Sequence, residues 1–310
     1  MALLQLPSEL LFHILSLVGS PFFSQDARRL TVSKRWYQIA WLVTARELDI
    51  TPQSGLLSLP RFLANEEVFG RVQTHLKSVK LSLEGFDADP RAELVDETNA
   101  DLEEEWIAQT DRHLEALATK LQRCPQLECL TLIAPLDVYY LEVGPFAKLL
   151  SMRHLTVLDV DMGGLCPVNA FPDSETHLCR SINSRLPSLR RLRCRMYRIC
   201  DTILMPPEDG VSLRLKEVII NLARTQHANG CSVRFPIYIC ASPPGYPRST
   251  RADIERRATA LAARLETPRM VRVIDVVRGD IHAFDAITGR RMVLAPGAEW
   301  DADGKTIVES

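Results

Sequence analysis

No run of about 18 apolar residues occurs in this chain of 310, so no membrane-spanning helix is expected. Signatures of catalysis are missing too. There is no P-loop, no G-x-G-x-x-G after a strand, no G-x-S-x-G and no H-E-x-x-H. The seven histidines, His13, His75, His113, His154, His177, His227 and His282, show no metal-ligand spacing with cysteines or acids. Eight cysteines are present, none in a C-x-x-C pair, and several lie inside apolar runs. They read as buried, reduced thiols of a cytoplasmic or nuclear protein. A net charge of −2 gives no general attraction to nucleic acid or to a membrane surface. No basic residue precedes the first apolar run, and Pro7 and Glu9 break it, so a cleaved leader is not expected. No cofactor, metal or catalytic residue is predicted.

What is present is an ordinary folding composition, 46% hydrophobic and 25% charged. The first segment of interest is Leu6 to Ala40. Pro7 suits a first helical position. Behind it Leu10, Leu11, Ile14, Leu15 and Val18 recur at helical spacing as a broad apolar stripe. Gly19, Ser20 and Pro21 are expected to stop that helix. Gln25 to Leu30 reads as a second short helix. A third starts near Ser33 and carries Trp36, Ile39 and Ala40 on one face. Three helices this short cannot hide so many large apolar side chains among themselves, so the surplus must meet later segments or another protein.

This segment resembles an F-box. The match lies in Leu6-Pro7-Ser8-Glu9-Leu10, then Ile14-Leu15, then Val32-Ser33-Lys34-Arg35-Trp36. Ala27 and the insert Pro21-Phe22-Phe23 depart from the family's pattern. The resemblance implies a three-helix F-box over residues 1–48 that docks on a Skp-family adaptor and through it on a cullin. It also implies that the docking face is formed or supported by Leu6, Pro7, Leu10, Leu11, Ile14, Leu15, Leu30, Val32 and Trp36. The chain would then be a non-catalytic substrate receptor of a ubiquitin ligase.

Residues 49–75 read as a linker in which Leu56, Leu57 and Leu59 join the head to the rest. From residue 76 to 310 a signature recurs: an apolar residue, two others, an apolar, one other, an apolar. It occurs at Leu76-Val79-Leu81, Leu127-Leu130-Leu132, Leu155-Leu158-Val160 and Leu189-Leu192-Cys194. Weaker copies are Leu215-Val218-Ile220 and Val271-Ile274-Val276. Steps of 28, 34 and 26 residues separate Leu127, Leu155, Leu189 and Leu215. This is the spacing of a leucine-rich repeat, so the fold class is α/β: an irregular repeat stack with parallel strands. Helices are expected at Leu102–Arg123, Val143–Leu150, Asp173–Leu186 and Thr250–Leu265. An extra strand is expected at Val233–Ile239. A capping hairpin of Met292–Leu294 with Thr306–Val308 should close the end, with Trp300 in the cap.

Two charge runs stand out. Glu84 to Glu105 holds ten acids against Arg91, as a solvated insertion or as a docking surface for a basic segment. Arg180, Arg185, Arg190, Arg191, Arg193, Arg195 and Arg198 occur with no acid between Leu178 and Cys200. Alternation in a strand would put Arg191, Arg193 and Arg195 together on the open face. Aligning the copies sets Asp159 beside Arg193, Asp161 beside Arg195 and Glu217 beside Arg191. The row is then either a ladder of lateral ion pairs or a patch for an acidic or phosphorylated substrate. The rival to the ligase receptor is a non-catalytic repeat scaffold whose helical head is only a cap.

Overall fold

The structure, a computed structural model, describes residues 2–50, 66–83, 97–134, 139–163, 165–168, 178–196, 198–207, 211–228, 231–236, 238–239 and 250–307. The expected bridge of Leu56, Leu57 and Leu59 lies outside them, as does the acidic run from Glu84 to Asp96.

The head starts with α1 (Ser8–Val18), with Pro7 in extended conformation at its cap rather than inside its first turn. Gly19 ends α1 with φ 82, a left-handed conformation that favours a residue without Cβ. The chain does not then run loose to Gln25. It turns at once into α2 (Ser20–Gln25), with Pro21 near its start. Ala27–Leu30 is a single 3-10 turn, capped by the Asp26 carboxylate, which accepts from the Arg28 amide at 3.0 Å. The second helix therefore lies earlier than expected, because proline is at home in a first helical turn. The helix α3 (Lys34–Thr44) begins where Ser33 Oγ accepts from the Trp36 amide at 3.1 Å.

From α3 the chain passes directly into a ten-stranded sheet: β1 (Glu47–Ile50), β2 (Ser78–Ser82), β3 (Cys129–Ile133), β4 (Val157–Met162), β5 (Arg191–Met196), β6 (Glu217–Asn221), β7 (Met270–Val277), β8 (Asp280–Asp285), β9 (Arg291–Leu294) and β10 (Lys305–Thr306). Spatial order equals chain order. The pairs from β1 to β7 are parallel and those from β7 to β10 antiparallel. The sheet thus begins inside the boundary drawn between head and linker. The expected linker also holds α4 (Glu66–Gln73).

One backbone device recurs at each step. The carbonyl just before a strand accepts two amides from the residues that start the next strand. Arg46 serves Lys77 and Ser78, Lys77 serves Glu128 and Cys129, and Glu128 serves Thr156 and Val157. Thr156, Arg190 and Lys216 continue the series up to Met270. Alternate strand residues, Val79 and Leu81, Leu130 and Leu132, Leu158 and Val160, Leu192 and Cys194, Val218 and Ile220, stack in register and are buried. Over this layer lie α5 (Glu97–Leu121), α6 (Val143–Leu150), α7 (Leu178–Asn183) and α8 (Arg251–Ala262). Fully burying one such aliphatic side chain contributes roughly 1.5–3 kcal/mol, so this seam dominates the stability.

Two expectations need correction. Val271, not Ile274, sits opposite Val218, and Val273 sits opposite Ile220. The sixth copy was therefore read three residues late, an odd shift that exchanges the two faces of a strand. The expected extra strand at Val233–Ile239 is two pieces. Cys231–Pro236 forms a hairpin with Ala223–Ala228, and Tyr238–Ile239 pairs with Arg198–Ile199. The pairing of β9 with β10 is as expected, but β8 intervenes between β7 and β9.

At this end the second face of the sheet is also covered. Ile219, Ala223, Ile274, Ala283 and Leu294 form a small core with Ala298 and Trp300 over it, so Trp300 does belong to the cap. Ile219 is in register with Arg193, so this cover lies on the arginine row's face. Among the described residues, no helix is long and apolar enough to cross a membrane.

Candidate functional site

The head's apolar side chains divide into an inner and an outer set. Leu11 and Leu15 point into a core with Phe23, Ile39, Ala40 and Val43, and the half-buried Phe12, Leu30 and Trp36 close it. Leu11 and Leu15 therefore support the head from within and present no surface. Trp36 is also partly inward: its indole N–H donates to the Arg29 carbonyl at 2.6 Å, and its ring meets Phe23 edge-on at 6.4 Å. Arg35 donates to the Leu6 carbonyl and to Ser8 Oγ, tying α3 to the start of α1.

The outer set is large. Leu10 is 52% exposed, Val32 58% and Leu17 76%, with Val18, Phe22 and Tyr37 also exposed. Pro7 is exposed, and Leu6 and Ile14 are half-buried. Leu10, Ile14 and Leu17 follow i, i+4, i+7 spacing, one turn-by-turn stripe of α1 beside the inner stripe of Leu11 and Leu15. Ten large hydrophobic side chains are exposed among the described residues, and seven of them fall between Leu3 and Tyr37. Apolar side chains gathered like this mark a surface that meets something else. Sequence reasoning missed Leu17, Phe22 and Tyr37 as surface groups. The helical spacing of Leu17 from Leu10 held the signal for the first.

The arginine row has the register that alignment of the copies predicts: Asp159 opposite Arg193, Asp161 opposite Arg195 and Arg191 opposite Glu217. The ion pairs follow that register only at Arg195, whose guanidinium donates to both Asp161 oxygens at 2.6 and 2.7 Å. The other two run diagonally. Arg191 donates to Asp159 at 2.6 Å and Arg193 to Glu217 at 2.6 Å. A guanidinium on its three-carbon stem reaches a diagonal neighbour as easily as a direct one. Arg193 also donates to Asp301 at 2.6 Å, and Arg195 lies 5.2 Å over the Trp300 ring. Each of the three guanidinium groups is thus engaged by a carboxylate of the chain itself. The geometry favours the ladder over a free anion patch.

The ladder does not satisfy every atom. Asp159 Oδ1 and Arg191 Nε are buried without a hydrogen-bond partner. Burial raises the Asp159 pKa above the ordinary carboxylate value, against the opposing pull of Arg191. Asp301 moves the other way, because the hydrogen bond from Arg193 lowers its pKa. A lowered folded pKa adds stability above the unfolded pKa and loses it as pH falls through the folded one. In Arg193→Met the Asp301 titration is therefore expected to shift upward, toward the ordinary carboxylate value, and this acid-side contribution should vanish. NMR titration of the carboxyl carbon reads it, and an unshifted Asp301 would show that the pair is not formed in solution.

Among the described residues, no group of three His, Cys, Asp or Glu is placed to hold a metal. Burial raises the pKa of the Cys124 thiol to about 11, and it pushes the fully buried Cys194 thiol up too, so neither is a thiolate at neutral pH. No protein-family model matches this chain, and no curated protein sequence does either.

Proposed function

We propose that this chain is an F-box substrate receptor of a cullin-RING ubiquitin ligase. Its head binds a Skp-family adaptor, and the sheet domain holds a protein substrate. The exposed apolar side chains of the head, Leu10 and Leu17 along one stripe of α1 and Val32 just before α3, are the observation that supports this reading most directly. Leu6, Pro7 and Ile14 extend that stripe. Leu11, Leu15, Leu30 and Trp36 hold its shape from behind. The mechanism is proximity. A substrate held near a ubiquitin-charged enzyme meets it at a raised effective concentration, and the receptor needs no reacting group of its own. An acidic substrate segment would meet the row of Arg191, Arg193 and Arg195 at Arg193, by displacing Asp301 from the ladder's exposed margin. Such a role belongs to the cytoplasm or nucleus.

A second reading is a repeat scaffold whose head only caps the stack. It draws on the junction, where α3 runs straight into the edge strand β1 and Ser20 Oγ donates to Glu47. Co-purification with the Skp adaptor separates the two. The receptor reading expects a stable one-to-one complex. A full-length, folded chain that fails to retain the adaptor would leave the scaffold.

A further inference from the structure

Away from the head and the ladder, a cavity of about 450 Å³ opens beyond the N-terminal ends of β3, β4 and β5. The turns between helix and strand of three successive units line it. They are the end of α5 with Leu127, the end of α6 through His154, and Arg185 behind α7. Its volume lies in the range of small-molecule sites, which runs from about 300 to 1,000 Å³.

The lining is one-sided in charge. Arg153, His154 and Arg185 contribute to it, and no carboxylate does. Among the described residues, none of the three forms an ion pair. Arg185 Nε is buried with no hydrogen-bond partner, an unmet donor next to an open space. Two further polar groups stand nearby, the Gln122 amide donating to Ser151 Oγ at 3.3 Å. The rest of the wall is apolar: Leu121, Leu127 and Met152, all buried, and the neutral Cys124 thiol. Arg195 is matched to a carboxylate and Arg272 to two carbonyls, whereas the cations at this cavity form no ion pair among the described residues.

We infer that this cavity binds a phosphate monoester whose organic body fills the rest of the space. Arg185 and Arg153 hold the phosphoryl oxygens, since guanidinium N–H pairs match that geometry. An imidazole N–H of His154 adds a third donor. The body of the ligand occupies the part of the 450 Å³ that a free phosphate ion would leave unfilled.

Calorimetric titration of the full chain with phenyl phosphate, inorganic phosphate and benzyl alcohol tests the assignment. Phenyl phosphate is expected to bind saturably at one site. Inorganic phosphate should bind about 10-fold more weakly and benzyl alcohol not at all. Arg185→Gln should weaken phenyl phosphate by about 10-fold or more, since it removes a charge-assisted contact. Arg153 is exposed, so Arg153→Ala carries the same test without a folding risk. Arg290→Met, at an exposed arginine bonded to Thr306 and outside the cavity, should leave binding unchanged. The inference is overturned if phenyl phosphate does not saturate, if Arg153→Ala and Arg185→Gln both bind as the parent does, or if Arg290→Met is the variant that loses binding. Equal affinity for inorganic phosphate would overturn the assignment of an organic body.

Discussion

Glu255→Gln is expected to lower the unfolding free energy by about 2–3 kcal/mol. Glu255 lies in α8, nearly buried, and ties two other elements to that helix. Arg291 of β9 donates to both of its oxygens, at 2.9 and 2.7 Å, and Arg251 donates at 2.9 Å. Arg251 also reaches Asp275 of β7 at 3.1 Å. Glutamine keeps the shape and removes the charge, which leaves Arg251 with Asp275 and takes from Arg291 its paired bonds to a carboxylate. The loss falls below that of a fully buried pair because Arg251 and Arg291 each keep roughly a third of their exposure. The pH dependence has a definite sign. Burial alone would raise the Glu255 pKa, but the hydrogen bonds from Arg291 and Arg251 outweigh it, so the folded value is lowered. Its contribution is therefore present above the unfolded carboxylate pKa and fades as pH falls through the folded one. Urea unfolding at neutral and acid pH should show the parent and the variant converging on acidification. A constant gap would trace the effect to packing instead.

Much of this arrangement could be read before any coordinates. The seam of alternating aliphatics identifies the parallel strands because a strand buried by helices needs an apolar residue at every second position. The same alignment placed Asp159 against Arg193 and Asp161 against Arg195, since register in a parallel sheet is fixed by that buried seam. What escaped has physical reasons. The first strand begins its copy with Ala45, which is buried but too small to look like a repeat residue, and so β1 was divided between the F-box and the linker. The strand β8 follows a two-residue turn at Arg278 and Gly279, with φ 53 and 90. Both central residues are left-handed, as a type I′ hairpin requires, but arginine in place of asparagine hides the usual signal. The diagonal pairing of Arg191 and Arg193 depends on side-chain reach and on Asp301, distant by 108 residues in sequence. No local pattern encodes that. In the head, the spacing of apolar residues showed too much surface for three short helices. It did not divide Leu10 from Leu11, because a broad stripe has no marked midline until α2 and α3 take their places.

That division allows a test in which stability and binding move in opposite directions. Leu15→Ala removes a fully buried side chain from the head's core, and about 3 kcal/mol of stability should go with it, within the usual range for such truncations. Leu10→Asp should cost little. Its side chain is half in water, and residue 10 lies in the first turn of α1, where a negative charge is favoured by the helix dipole. Val32→Asp is tolerated for a similar reason, since it is exposed and stands outside α3, just before the Ser33 cap. For adaptor binding the order reverses. Leu10→Asp with Val32→Asp would bury two carboxylates against an apolar partner face, each without a counter-charge. At several kcal/mol per unpaired ion, that is enough to abolish a complex of ordinary affinity. Leu15→Ala, at a temperature where it stays folded, should still bind. Pull-down on immobilised Skp adaptor, paired with urea unfolding of each variant, reads both quantities. Retention of the adaptor by the doubly charged, fully folded variant would remove the head's outer stripe as the docking surface, and with it the receptor reading.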